Sequence, residues 1–187
     1  MRKTEMRNEA SKHIDQMDTM SMLKLINQES MNAVKAGEEA IDKIAEVCDV
    51  VAQRFEAGGR LFYIGAGTSG RLGVIDAAEC PPTFGVPSEQ VVGIIAGGHG
   101  CMVHAAEAQE DDAQAGENDL RQYNLCDKDV CIGISSSGGA AYVVGALEYA
   151  NSVGAFSVSL SSNADTPIER VAKIGIVTDT GAEVVTG

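Results

Sequence analysis

The residues best suited to chemistry are two hydroxyl-rich glycine turns and two glutamates. Gly65-Ala66-Gly67-Thr68-Ser69-Gly70 follows a short apolar run, Leu61 to Ile64, and precedes Leu72, Val74 and Ile75 at helical spacing. A strand, a glycine turn and a helix in this order point backbone N–H groups and a helix N-terminus at an anion. Thr68 and Ser69 add hydroxyls suited to a phosphomonoester. Gly65, Gly67 and Gly70 also fit a loose G-x-G-x-x-G dinucleotide pattern. That reading wants an acidic residue about twenty residues on, at the end of a second strand. Here the second run, VVGIIAGG (91–98), ends in glycines. A purely structural turn is the third reading.

The second turn runs Ser135-Ser136-Ser137-Gly138-Gly139, ahead of a helix carrying Val143, Val144 and Leu147. Three hydroxyls at a helix N-terminus suit a phosphate, although N-capping and a flexible turn call for the same residues. Glu79 precedes Cys80-Pro81-Pro82. Two prolines are expected to stop the helix there and hold the carboxylate in one place, where it is otherwise an ordinary surface residue. In HAAEAQEDD (104–112), His104, Glu107 and Glu110 fall at i, i+3 and i+6. That spacing suits a solvated helix face or a second carboxylate for catalysis. Two carboxylates beside a phosphate pocket fit proton abstraction α to a carbonyl.

Other chemistries find less support. His99 and His104 are five apart, off the spacing of a shared helical face, and there is no H-E-x-x-H or cysteine pair, so no metal site is expected. The serines sit in anion-binding turns and no histidine has an evident orienter, so no Ser-His-Asp triad emerges. The net charge of −13, from 14 basic and 27 acidic residues, argues against nucleic acid or an anionic membrane as partner. It also means that a phosphate must be held mostly by amides and hydroxyls. Five scattered cysteines (Cys48, Cys80, Cys101, Cys126, Cys131) read as reduced thiols in or near a core. The opening MRKTEMRNEA is polar, and no apolar run approaches the roughly 20 residues of a membrane span, so a soluble cytoplasmic protein is expected.

The elements that must position these groups follow from periodicity. Residues 1–18 are expected to be poorly ordered or dependent on a partner. Met22, Leu25 and Ile26 make a short helical stripe, and Ile41, Ile44, Val47, Cys48, Val51 and Phe55 a longer one, ended by Gly58-Gly59. These helices (1–57) need a surface to cover, either the sheet or a second subunit. From 58 to 187 a compact α/β unit is expected. Its strands fall at 61–65, 91–96, 129–134, 155–160 and 174–178. Its helices fall at about 69–78, 100–122 with a break at Gly116, 140–152 and 166–172. Such alternation gives a three-layer sandwich on a five-stranded parallel sheet, for which we expect the flavodoxin-like order 2-1-3-4-5. Its switch point lies between strands one and three, the strands whose exits carry the two hydroxyl-rich turns.

GAGTSGRLGVIDAAECPPTFG (65–85) resembles the signature of the N-acetylmuramic acid 6-phosphate etherases, within the sugar isomerase (SIS) superfamily. Looser similarity runs from about His13 to Gly187. The resemblance implies a SIS fold, no cofactor, a homodimer to which the N-terminal helices contribute, and family members that continue beyond the point matching Gly187. It implies cleavage of the lactyl ether of N-acetylmuramic acid 6-phosphate in peptidoglycan recycling, giving N-acetylglucosamine 6-phosphate and D-lactate. Glu79 matches the catalytic base, Glu110 the second catalytic carboxylate, and Glu107 a glutamate beside it. Gly67, Thr68, Ser69, Ser135, Ser136, Ser137 and Gly138 then hold the sugar phosphate. Etherases typically read Ser-Gly-Arg-Thr-Pro in the second turn, where this sequence keeps Ser137-Gly138 and continues Gly139-Ala140-Ala141. The rival readings are a non-catalytic sugar-phosphate regulator and an aldose–ketose isomerase, the latter opposed by the ECPP segment.

Overall fold

The computed structural model describes residues 2–105 and 107–185, with the side chains of Glu107 and Ala108 outside the described residues. Five parallel strands, β1 (Leu61–Gly65), β2 (Val91–Ile95), β3 (Val130–Ile134), β4 (Phe156–Ser161) and β5 (Ile174–Val177), pair in the order β2-β1-β3-β4-β5. This is the order that the β-α alternation predicts. Among the described residues six α-helices accompany them: α1 (Thr19–Glu39), α2 (Ile41–Glu56), α3 (Gly67–Phe84), α4 (Ala113–Arg121), α5 (Ala141–Ser152) and α6 (Pro167–Val171).

The strands are apolar runs because both faces of a parallel sheet are covered. Phe62, Ile64 and Cys131 pack with Leu120 of α4, Tyr142, Val143 and Leu147 of α5, and Ile168 of α6. On the other face Leu61, Val130, Ile132 and Val158 pack with Val47 of α2 and Ala77 of α3. Thus α2 shares a core with the sheet, whereas Ala36 is the one buried residue of α1. Of the expected apolar stripe on α1, Met22 and Leu25 are half-buried and Ile26 is exposed.

The register sets the site. Gly65, at the end of β1, pairs level with Ile95 and Ile134, so β1 and β3 deliver their exit turns side by side. Helix α3 then lies almost on the backbone beneath it. A Cβ at Gly70 would sit 2.4 Å from the carbonyl oxygen of Gly65, and one at Gly93 would sit 2.4 Å from Cα of Val74. Only glycine permits either approach.

Five expectations need correction. Helix α3 does not stop at the prolines: it runs through Pro81 and Pro82 to Phe84. The rings remove two donors, but the Pro81 carbonyl still accepts from Gly85 N (2.9 Å), and Gly85, at φ 68°, ends the helix. The single helix expected over 100–122 is two 3-10 turns, His99–Met102 and Glu107–Asp111, followed by α4. Its restart is set by Asp112, whose carboxylate caps Ala115 N at 3.0 Å. Gly116 is no break but a contact, because a Cβ there would meet the Tyr142 carbonyl oxygen of α5 at 1.9 Å. Residues 3–16 form three short 3-10 turns held against the sheet's C-terminal edge. The thiols also differ from expectation. Cys48 and Cys126 are exposed, and Cys131 alone is fully buried, where burial pushes its thiol up to about 12.

Asp129, 1% exposed at the foot of β3, ties that strand to β1. It accepts from Arg60 N (2.9 Å), Arg60 Nη2 (2.8 Å) and Cys126 N (3.0 Å). Burial pushes its carboxyl up, but the hydrogen bonds from Arg60 and the two amides outweigh burial and hold it below the ordinary value. A depressed carboxylate contributes stability above its unfolded pKa and loses it as pH falls through the folded one. Acid should therefore remove this contribution below about pH 4. Asp129→Ala should cost about 3 kcal/mol at neutral pH in urea unfolding, because it leaves buried donors unpaired. The variant's stability should also vary less with pH below 4, and an unchanged acid limb would contradict this account.

Candidate functional site

A cavity of about 320 Å³ opens at the C-terminal edge of the sheet, over the gap between β1 and β3. Ala66 and Ser69 line it from the first turn, and Ile134, Ser135, Ser136, Ser137 and Ala140 from the second. Glu110 reaches it from the 3-10 turn after β2. Thr4 and Glu5 close it from the N-terminal segment, and Glu183 from the segment after β5. Its volume suits a small ligand.

The second turn is shaped so that its hydroxyls can donate. Ser135 Oγ accepts from Gly138 N (3.1 Å) and Ser137 Oγ accepts from Gly139 N (3.3 Å), which leaves each O–H free to point at an anion. Gly138, at φ 72°, lies so close to Thr166 that a Cβ would meet its Cγ2 at 2.3 Å. Three bonds brace the turn, two from the β4–α6 connection and one from α6. Ser162 N (3.0 Å) and Asn163 Nδ2 (3.0 Å) donate to the Ser136 carbonyl, and Ile168 N (3.2 Å) donates to that of Gly138. No cationic side chain lines the cavity among the described residues. An anion here is met by hydroxyls, by loop amides and by the N-terminus of α5, and a neutral polyol by the three carboxylates.

Arg71 fixes the opposite rim. Its Nη2 donates to the Cys101 carbonyl (2.7 Å) and its Nε to that of Met102 (3.1 Å), docking the turn after β2 onto α3.

The family model described as the glucokinase regulatory protein N-terminal SIS domain matches residues 43–151, more than half of the chain. The chain belongs to that SIS family. It is 52% identical over 184 residues to the N-acetylmuramic acid 6-phosphate etherase of Photorhabdus laumondii and 51% identical to that of Pasteurella multocida. Each alignment covers 98% of this chain but 61% of the relative, so the chain spans about three-fifths of the curated relatives it matches. Among solved structures, a phosphoheptose isomerase from Francisella tularensis superposes with a TM-score of 0.60 at 16% identity, covering 83% of this chain and 85% of that one. A phosphoheptose isomerase from Neisseria gonorrhoeae gives 0.59 at 15% identity, covering 83% of this chain and 86% of that one. At such identities the likeness speaks for the fold.

Within this SIS chain the expected site residues divide. Ser69, Ser135, Ser136, Ser137 and Glu110 share the cavity, while Gly67 and Thr68 sit exposed at the start of α3 without lining it. The Gly138 amide is turned inward to Ser135. The side chain of Glu107 lies outside the described residues. Glu79 is exposed on α3, ten residues beyond Ser69. At the rise of an α-helix that is about 15 Å, more than a glutamate side chain spans. Thr4, Glu5, Asn163 and Glu183 were missed. Nothing in the polar opening segment marked the first two, but Asn163 follows β4 at the sheet's C-terminal edge, where the ligand rule for such sheets would have flagged it.

If the hydroxyls of the second turn hold a phosphate, inorganic phosphate at a hundred times its Kd should stabilise the chain by about 2.7 kcal/mol. Ser137→Ala should weaken binding about tenfold and remove about 1.4 kcal/mol of that. Ser152→Ala, at the far end of α5, should not change the melting shift. Equal shifts in both variants would remove the phosphate from this turn.

Proposed function

We propose that this chain is the sugar-phosphate-binding core of an N-acetylmuramic acid 6-phosphate etherase, a carbon–oxygen lyase. The cavity at the β1–β3 switch carries the reading, because it sets four serines and Glu110 around a space sized for one phosphosugar. The identity to etherases over nearly the whole chain supports this choice of substrate.

In the proposed reaction the open-chain sugar presents an aldehyde at C1, which acidifies the C2 proton. Glu79 takes that proton, and Glu110 protonates the departing ether oxygen at C3, releasing D-lactate. Water then adds at C3 of the unsaturated aldehyde with Glu110 as base, and Glu79 returns a proton to C2, giving N-acetylglucosamine 6-phosphate and restoring both carboxyl groups to their starting states. The two carboxylates thus work in opposite protonation states at the moment of elimination. The proposed reaction uses no cofactor or metal.

Glu79 is not among the residues that line the cavity. It shares one face of α3 with Leu72 and Ile75, spaced i, i+3 and i+7, which are 59% and 53% exposed. An apolar face of this kind suits burial against a second copy, and in a two-fold dimer each copy presents its Glu79 to the other. The proposed working form is therefore a homodimer whose sites draw Glu110 and the serines from one subunit and Glu79 from the other. Under this reading the protein acts in the cytoplasm on amino sugars recovered from peptidoglycan.

The test is complementation. Glu79→Gln and Glu110→Gln should each abolish lactate release from N-acetylmuramic acid 6-phosphate. Mixed in equal amounts and allowed to exchange subunits, they should recover about a quarter of wild-type activity, because half of the dimers are mixed and each of those holds one intact site. No recovery, in dimers shown to have exchanged, would refute the shared site.

A further inference from the structure

We infer that the N-terminal strap Lys3–Met6 is a wall of the ligand site, with Thr4 and Glu5 as specificity residues that meet the sugar rather than its phosphate. The inference rests on the sugar-phosphate reading of the serine turn and goes beyond it, because it concerns what selects the sugar.

The strap is tied to the serine turn by one buried side chain. Asn163 is 5% exposed. Its Oδ1 accepts from Lys3 N (2.7 Å) and Thr4 N (3.4 Å), and its Nδ2 donates to Thr4 Oγ1 (3.0 Å) and to the Ser136 carbonyl (3.0 Å). One amide thereby uses both of its functions to fix the strap against the loop that lines the cavity. The Lys3 ammonium pairs with Asp179 beyond β5. Asn8 extends the attachment, donating to the Ala182 carbonyl (3.2 Å) and to Glu29 Oε2 (2.8 Å). The loop in turn leaves room for the strap. A Cβ at Gly139 would stand 1.9 Å from Arg2 Nη2, so the strap crosses where that turn has no side chain.

Charge then assigns the ends of the ligand. A phosphate dianion is repelled by a carboxylate, so Glu5 belongs opposite the phosphate, facing groups that donate hydrogen bonds. A sugar offers them as hydroxyls, and an acylated amino sugar adds an amide N–H. Thr4 Oγ1, already accepting from Asn163, keeps its O–H to donate to a ring or carbonyl oxygen. Asn163 is a positioning residue in this scheme.

The test compares two probes on the 187-residue chain by calorimetric titration, inorganic phosphate and N-acetylglucosamine 6-phosphate. Glu5→Gln should weaken the sugar phosphate about ten- to a hundredfold, the range for losing a hydrogen bond to a charged group, and leave phosphate binding unchanged or tighter. Thr4→Val should weaken the sugar phosphate alone, and Thr4→Ser should restore it. Asn163→Ala should widen the gap in the same direction. A role confined to folding would weaken both probes together, and that parallel loss would overturn the strap assignment. So would wild-type sugar-phosphate affinity in Glu5→Gln, or equal binding of both probes by the wild type. Ser137→Ala should weaken both probes. If it weakens neither, or if the wild type binds neither, the serine turn is not the phosphate site and the strap assignment falls with it.

Discussion

The site depends on how closely α3 can leave β1. The turn from Gly65 to Gly70 brings the helix back so tightly that a Cβ on Gly70 would collide with the carbonyl it has just passed. That closeness puts Ser69 level with the exit of β3, whose register with β1 is held by the ladder and by the Arg60–Asp129 contact below. Any side chain at Gly70 would force α3 outward and carry Ser69 away from the second turn. The two hydroxyl-rich turns form one site because glycine lets helix and strand touch.

Once the turns are adjacent, the surrounding chain converts them into a polar cavity with no cationic side chain among its described lining residues, although the Arg2 guanidinium lies against Gly139 of the second turn. Ser135 and Ser137 accept their own loop amides, which orients their hydroxyl protons outward. The β4–α6 connection supports the Ser136 carbonyl and α6 that of Gly138, so the turn is braced from behind. With a formal net charge of −13, long-range attraction does not bring a phosphate here. Short, oriented donors must do so, and they discriminate by geometry more than by charge. Under the proposed reading the same electrostatics give the rim carboxylates a use, turning the phosphate toward the serines and accepting from the sugar.

Much of this was legible from residue types alone. Runs such as LFYIG and VCIGI read as strands buried on both faces, and the alternation after residue 61 pointed to the strand order. The switch-point rule then chose the same two turns that composition did. Local signals failed where a tertiary contact competed with them. Pro81 and Pro82 looked like a stop, yet the last turn of α3 tolerates two missing donors. Gly116 looked like a break, yet it is where α4 rests on α5. The strap was invisible because its order comes from Asn163, some 160 residues away in the sequence. No periodicity in residues 2–16 encodes that contact.

The central claim is that this cavity supports elimination and rehydration at C2 and C3 of an N-acetylmuramic acid 6-phosphate. Turnover in deuterated, oxygen-18 water, read by mass spectrometry of the sugar product, tests it most directly. The account predicts D-lactate release with N-acetylglucosamine 6-phosphate carrying deuterium at C2 and oxygen-18 at C3. Deuterium at C2 without lactate release would indicate an isomerase. Lactate release with the original oxygen kept at C3 would contradict the mechanism itself.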